Sequence, residues 1–303
     1  MAKELNAVVY RPTGTVKGTV LVVHGMQEHQ ARYEDFAKFL QQNGYVVMTY
    51  NLPGHGPESR KDGTYGYFGD QNGWDVLINS AVTGIRKLKE EYPDVPVYYF
   101  GHSMGTMIGR CFLMDHDDMI DGMILTGAPC YNSAVGVAKA IGAIIRLNKG
   151  KKGHSKTLDK LMTGGFNKGI ENPKTPVDWL SWNTDNVQSY VNDPDCGKPF
   201  TIQGYMDLMD GMQRMGNVKL YHVKKPDLPI ALFAGEDDPC IGGKEGFAST
   251  VSTLKQAGYT HISTKLYPHM RHEILHETDA QKVYEDIVFC LESMRTKGDS
   301  GVK

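Results

Sequence analysis

Apolar and polar residues follow two rhythms along the first half of the chain. Short continuous apolar runs that end in glycine, such as residues 18–25 (GTVLVVHG), predict strands buried on both faces. Runs with apolar positions about 3.6 residues apart, such as 33–44 (YEDFAKFLQQNG), predict helices. The same rules predict an antiparallel edge hairpin over 7–18, strands over 45–56, 95–100 and 121–129, and helices over 74–93 and 105–116. Strands that alternate with helices in this way predict an α/β fold, a mostly parallel sheet with helices on both faces.

The alternation stops between residues 130 and 226 and then resumes. No strand pattern occurs in this stretch, whereas 228–238 and 261–268 again predict strands, separated by a helix over 244–257 and followed by a helix to about 295. The resumed strands must rejoin the same sheet. We therefore predict a core of residues 1–129 and 227–303 with an inserted helical cap, or lid, of residues 130–226.

One cap helix is apolar on nearly all sides. The run 134–147 (AVGVAKAIGAIIRL) predicts a helix packed against the core. The alternatives are that it lines an acyl pocket or touches a lipid surface. At fourteen residues it is too short to span a bilayer.

Composition excludes several classes of function. The 303 residues are 40% hydrophobic and 22% charged, with a formal net charge of −2, so no overall positive field favours nucleic acid as a partner. The first ten residues lack the apolar core of a signal peptide, and no apolar run is long enough to cross a membrane. The five cysteines have no C-x-x-C spacing, which is typical of free thiols. We expect a cytoplasmic protein without integral membrane association, and a homo-oligomer remains open.

A candidate nucleophile lies between a predicted strand and a predicted helix. Residues 98–109 (YYFGHSMGTMIG) contain the pattern G-x-S-x-G, with Ser103 at its centre. A serine at a sharp strand-to-helix turn adopts a strained backbone, and its neighbours two positions away must be small for the turn to close. Gly101 and Gly105 meet that requirement. Because a serine hydroxyl needs a base that a third group orients, the chain should also supply a histidine and a carboxylate.

Such residues follow the next two strands of the predicted core. Residues 233–239 (FAGEDDP) and 267–273 (YPHMRHE) both come at the carboxyl ends of strands, where open α/β sheets build their sites. They also follow the serine in the order serine, acid, histidine. The candidate acids are Asp237 and Asp238, and the candidate bases are His269 and His272.

Residues 272–276 (HEILH) also match the zinc motif H-E-x-x-H, in which two histidines on one helix face bind the metal. The next residues, 278–281 (TDAQ), form a capping box, so we expect the final helix to begin near Thr278 and HEILH to lie before it. The metzincin extension requires glycine at 279 and histidine at 282, where the chain has aspartate and lysine. We therefore predict no metal or other cofactor, and expect Glu273 or His276 at most to help position the loop.

Several segments in order resemble the α/β-hydrolases, and among them the monoacylglycerol lipase and lysophospholipase branch with its bacterial members. They are HGMQEHQARY (24–33), NLPGHG (51–56), GHSMG (101–105), GEDDP (235–239) and RHEILHE (271–277). The resemblance implies Ser103 as nucleophile, Asp238 as acid and His272 as base. It also implies an oxyanion hole from the backbone amides of Met26 and Met104.

The chain departs from the family at Asn51, where the family usually has aspartate; this position concerns loop packing rather than the triad. Met104 starts a predicted helix, so its N–H lacks an acceptor within the helix and can bind negative charge. Three histidines flank these loops, and we expect them to hold loops through ring hydrogen bonds: His24, His55 and His102.

The predicted function is acyl transfer to water from a small-molecule ester, of a monoacylglycerol, a lysophospholipid or a small acyl or aryl alcohol. The apolar helix and aromatic residues of the cap favour an apolar acyl or aryl group. Three alternatives stay open: a peptidase or amidase on the same scaffold, an H-E-x-x-H zinc hydrolase, and a non-catalytic binding protein.

Overall fold

The structure is a computed structural model that describes the backbone of residues 5–299 and side chains through residue 296. Within this range, seven strands form one sheet in the order β1-β3-β2-β4-β5-β6-β7. The strands are β1 (Ala7–Tyr10), β2 (Gly18–Val23), β3 (Tyr45–Tyr50), β4 (Val97–His102), β5 (Gly122–Thr126), β6 (Ile230–Gly235) and β7 (Ile262–Tyr267). The helices are α1 (Glu34–Gln42), α2 (Gly56–Lys61), α3 (Gly73–Glu91), α4 (Met104–His116), α5 (Val135–Lys149), α6 (Lys156–Thr163), α7 (Thr184–Asn192), α8 (Ile202–Met215), α9 (Gly243–Ala257) and α10 (Ala280–Asp299).

The sheet is parallel except at one edge, and the prediction for that edge was wrong in its pairing. β1 lies antiparallel to β3, not to β2, so residues 7–18 do not form a hairpin. β2 instead pairs in parallel with β3 on one side and with β4 on the other. The sequence gives the strand character of 7–10, but strand pairing depends on residues forty positions further along the chain.

Both faces of the sheet are covered, which explains the continuous apolar strand sequences. Alternate residues of β2 point to opposite sides: Leu21 and Val23 belong to one core cluster, and Val20 and Val22 to the other. Side chains of α3, α4 and α9 complete the first cluster, and those of α1 and α10 the second. Helices on both faces of a mostly parallel sheet confirm the predicted fold class.

The chain between β5 and β6 holds the helices α5 to α8 and no strand. Helix α5 buries only one side, through Val135, Ala138 and Gly142, while Leu147 is 87% exposed. Among the described residues, no helix is long and apolar enough to cross a membrane.

The final helix begins at Ala280, two residues later than predicted. Gln281 donates to Glu285 one turn along the helix rather than reaching back to Thr278, so the predicted capping box does not form. The segment 272–276 nevertheless lies in turns before the helix, as expected.

Candidate active site

The turn at Ser103 has the strained geometry that the motif requires. Ser103 has φ 52° and ψ −116° between the end of β4 and the start of α4. A Cβ on Gly105 would lie 2.1 Å from the carbonyl oxygen of Val23, and one on Gly101 would lie 2.7 Å from the carbonyl oxygen of Gly105. The two glycines are therefore required by close backbone packing. The Tyr99 hydroxyl donates to the Gly105 carbonyl at 2.7 Å and closes the turn further.

A cavity of about 340 Å³ opens beside this turn. Ser103, Met26 and His272 all contribute to its wall, so the structure brings three of the predicted site residues to one space. Residues 130–226 contribute side chains from α6 and from the segment around Trp179, but the lining of this cavity includes no residue of α5. The alternative in which α5 lines an acyl pocket is therefore not supported here.

His272 and Asp238 form a buried pair although 34 positions separate them in the chain. The Nδ1 atom of His272 lies 2.9 Å from Oδ2 of Asp238, and both side chains are almost completely buried. Because a carboxylate only accepts, Nδ1 carries the proton and Nε2 is left with a free lone pair. Burial alone would lower the pKa of His272, but the charge and hydrogen bond of Asp238 outweigh it and raise that pKa.

The carboxylate and the imidazole are each fixed by further contacts. The second oxygen of Asp238, Oδ1, accepts from the backbone N–H of Cys240 at 2.8 Å. The His272 ring packs against the rings of Trp179 and His102, with centroid distances of 4.9 and 4.7 Å. This packing restricts the rotation of the imidazole.

The structure places the competing acid and base elsewhere. Asp237 accepts from Nε1 of Trp182 at 2.9 Å, whereas the carboxylate bonded to His272 is that of Asp238. His269 lies in an exposed turn with φ 54°. Of the four candidates, only Asp238 and His272 are brought together.

Two backbone amides near Ser103 are the candidates for an oxyanion hole, those of Met26 and Met104. Met104 is the first residue of α4, where the helix supplies no acceptor for its N–H. Met26 lines the cavity directly after Gly25, whose Cα would carry a Cβ only 3.1 Å from the Ser103 Cβ. The N–H of Gly25 donates to Oε1 of Glu28 at 2.5 Å, which fixes the loop that carries Met26.

A buried charge cluster supports this loop, and sequence reasoning missed most of it. Arg32 lies between Glu28, at 2.9 Å, and Glu273, to which it donates two hydrogen bonds. Burial raises the pKa of each carboxyl, but the guanidinium outweighs it, so the pKa values of both are lowered. Glu28 and Arg32 are four residues apart in the chain, next to the loop of Gly25. Opposite charges at this spacing could have indicated an ion pair from the sequence.

The histidines that flank these loops, His24, His55 and His102, make ring hydrogen bonds, in agreement with expectation. The N–H of Leu52 donates to Nε2 of His24, so Nδ1 carries the proton and donates to the Gly25 carbonyl. Burial lowers the pKa of His24 to about 4, which keeps it neutral. His102 pairs with the Thr126 hydroxyl at 3.0 Å, and burial together with the nearby His272 lowers its pKa to about 4.

Two other sequence positions also have structural roles. His55 stacks on Phe68, and burial lowers its pKa to about 3. Asn51 accepts from the backbone N–H of Gln30 at 3.0 Å, so the departure from the family affects loop packing.

The zinc interpretation of 272–276 lacks its geometry. His272 faces Asp238, whereas His276 packs edge-on against Tyr33 with a centroid distance of 6.2 Å. Over the described part of the chain, two groups of potential ligands lie close enough to share an ion: Asp238, Cys240 and His272, and His29, Asp193 and Cys196. Neither group joins His272 to His276. Cys111, Cys130, Cys196 and Cys240 are free thiols, as predicted.

Several known proteins are similar to this chain. A family model described as serine aminopeptidase, S33, matches residues 14–279. The monoglyceride lipase of Rattus norvegicus is 25% identical over 276 residues, covering 88% of this chain and 83% of that protein. The monoacylglycerol lipase of Mycolicibacterium smegmatis is 23% identical over 279 residues, covering 92% and 89%.

Among solved structures, a highly thermostable carboxyl esterase from Bacillus coagulans, in complex with glycerol, superimposes with a TM-score of 0.89 and 30% identity. The match covers 95% of this chain and 94% of that one. These similarities confirm the resemblance to the α/β-hydrolases and their monoacylglycerol lipase branch. The chain belongs to the serine aminopeptidase S33 family of α/β-hydrolases.

Proposed function

We propose that the protein hydrolyses carboxylic esters through a Ser103–His272–Asp238 triad and an acyl-enzyme intermediate. The chain is a carboxylic ester hydrolase by its similarity, over most of its length, to lipases and an esterase. The observation that carries the triad is the buried His272–Asp238 hydrogen bond beside the cavity that Ser103 also lines.

Each group has a defined chemical task. The free Nε2 of His272 removes the proton from Ser103 as its oxygen attacks the ester carbonyl, and later returns that proton to the leaving alcohol. Asp238 holds the imidazole in the productive tautomer and stabilises its charged form. Water then attacks the acyl-enzyme by the same route and releases the acid.

The negative charge on the tetrahedral intermediate needs donors that are already in place. We assign this task to the backbone amides of Met26 and Met104. Each such donor is typically worth about 3–4 kcal/mol of transition-state stabilisation. The Glu28 contact to Gly25 fixes one of the two loops before the substrate arrives.

We propose that residues 130–226 act as the cap and that residues 1–129 and 227–303 form the catalytic core. The cavity of about 340 Å³ is at the small end of ligand sites, and the cap lines it with Asp159, Lys160 and Thr163 as well as Trp179. This combination favours an ester that has a small or medium apolar acyl group and a polar alcohol, such as a monoacylglycerol.

The family description makes peptide hydrolysis the second candidate. The two are separated by a chain-length series of p-nitrophenyl esters assayed beside aminoacyl-p-nitroanilides, with Ser103→Ala as the blank. We expect turnover of the esters and background rates with the anilides. Faster turnover of the anilides would assign the protein to the peptidases.

A further inference from the structure

Glu277 is a buried carboxylate that joins the cap to the loop of His272. It is 5% exposed. Its Oε1 accepts from the backbone N–H of Arg271 at 2.8 Å, and its Oε2 accepts from the Ser181 hydroxyl at 2.8 Å. The backbone N–H groups of Trp182 and Asn183 donate to the same carboxylate at 3.0 and 3.1 Å. Four donors from two chain segments thus meet on one side chain.

The indole of Trp182 extends the same junction to both residues that precede the proposed acid and base. Its Nε1 donates to Asp237 at 2.9 Å. The centroid of its ring lies 3.6 Å from the guanidinium carbon of Arg271, which is a close cation–π contact. Asp237 and Arg271 are the immediate neighbours of Asp238 and His272.

We propose that Glu277 and Trp182 form a clamp that sets the distance and orientation between His272 and Asp238. The inference rests on the proposed function and makes both of them positioning residues. Glu277 fixes the backbone just before the base, and Trp182 holds the residue before the acid against the residue before the base. Residues 181–183 of the cap are therefore part of the catalytic scaffold rather than a free cover.

A carboxylate is the only side chain of this shape that accepts from all four donors. In Glu277→Gln, one oxygen becomes an NH₂ group that faces backbone N–H donors, so at least one of these bonds is lost. The bond is lost at the N–H of Arg271, next to His272, or at the N–H of Asn183, according to which way the amide is turned. Trp182 is 52% exposed, so Trp182→Ala removes the bridge with little cost to the core.

The test compares Glu277→Gln, Trp182→Ala and Trp182→Phe with the full-length wild type. The control is Asp207→Asn, which neutralises another buried carboxylate, held by Gln203 on α8 and absent from the cavity lining. Steady-state kinetics on a p-nitrophenyl ester gives kcat and KM, and proton NMR follows the low-field Nδ1–H resonance of His272, assigned with His272→Ala. Melting temperatures are measured for every variant.

We expect kcat to fall roughly 10- to 100-fold in Glu277→Gln and roughly tenfold in Trp182→Ala, because small misplacements of reacting groups are costly, with KM nearly unchanged. The low-field resonance should shift or broaden in both. Trp182→Phe, which keeps the ring over Arg271, should lie between Trp182→Ala and wild type. Asp207→Asn should leave both kcat and the low-field resonance unchanged.

Two results together would refute the clamp: folded variants that keep kcat within about twofold of wild type, and a low-field resonance that does not change. A twofold change in kcat corresponds to a very small change in the activation barrier. If Glu277→Gln does not fold, Trp182→Ala decides by the same criteria. An inert wild type would contradict the proposed function instead, and the resonance would still test the clamp without any activity.

Discussion

Replacing Glu28 with glutamine changes one atom in the cluster that holds the Met26 loop. In the wild type, Oε1 accepts from the N–H of Gly25 and from the hydroxyl of Tyr33 at 2.8 Å, while Oε2 accepts from Arg32. Whichever way the glutamine amide is turned, its NH₂ group faces a donor, either Arg32 or the pair from Gly25 and Tyr33.

The magnitude follows from which bonds are lost. Arg32 keeps its two hydrogen bonds to Glu273, so the buried guanidinium is not left uncompensated. Loss of one hydrogen bond to a charged group costs about 1.5–3 kcal/mol of stability. Complete loss of an oxyanion donor lowers kcat about 10²- to 10³-fold. Because Glu28→Gln loosens the Met26 amide rather than removing it, we expect a decrease of roughly 10- to 100-fold.

The assay is ester hydrolysis and thermal unfolding, with two reference variants. Glu34→Gln neutralises an exposed carboxylate on α1 that pairs with Lys38 and should leave both quantities unchanged. Tyr33→Phe removes one donor to Glu28 but leaves the Gly25 contact, so it should lower stability more than kcat. A folded Glu28→Gln variant with wild-type kcat would refute the idea that this carboxylate supports the oxyanion loop.

Three further outcomes follow from the site. Because Asp238 raises the pKa of His272, kcat/KM should fall on the acid side with a midpoint above about 6.5, the usual histidine value; a midpoint well below it would contradict the assigned pair. Gly105→Ala should yield little soluble protein, since its Cβ would meet the backbone oxygen of Val23 at 2.1 Å; a variant with wild-type melting temperature would show that the turn can relax. His24 is neutral when folded because burial lowers its pKa to about 4, so the unfolded chain binds the extra proton and this residue's contribution to stability should decline as pH falls from about 6.5 towards 4. Denaturant titrations of wild type and His24→Asn across that range measure it, and equal pH slopes would contradict the assignment.

Local constraints explain what could be predicted from the sequence. The turn at Ser103 depends on glycines within two positions and on the strand and helix that flank it, all of which are visible in one stretch of sequence. The strands buried on both faces leave an equally local apolar pattern. The edge strand β1 was assigned the wrong partner because it pairs with β3, a strand about forty positions further along the chain, and the local sequence of β1 carries no sign of that partner.

The missed residues share a different cause. Arg32 is compensated by carboxylates 4 and 241 positions away, and Glu277 binds cap residues about 95 positions away. From the sequence alone, a charged residue is predicted to be exposed to solvent unless its distant partners are known. The residues alone left Asp237 and Asp238 open as the acid, and the family resemblance favoured Asp238, the side chain that is bonded to His272.

The central claim is that Ser103 is the nucleophile, and covalent labelling tests it most directly. Wild type and Ser103→Ala are treated with a fluorophosphonate probe, followed by peptide mass spectrometry to locate the adduct. We predict one adduct on Ser103 in the wild type, matched by loss of esterase activity, and no adduct in the variant. Equal labelling of both proteins, or full ester hydrolysis by Ser103→Ala, would contradict it.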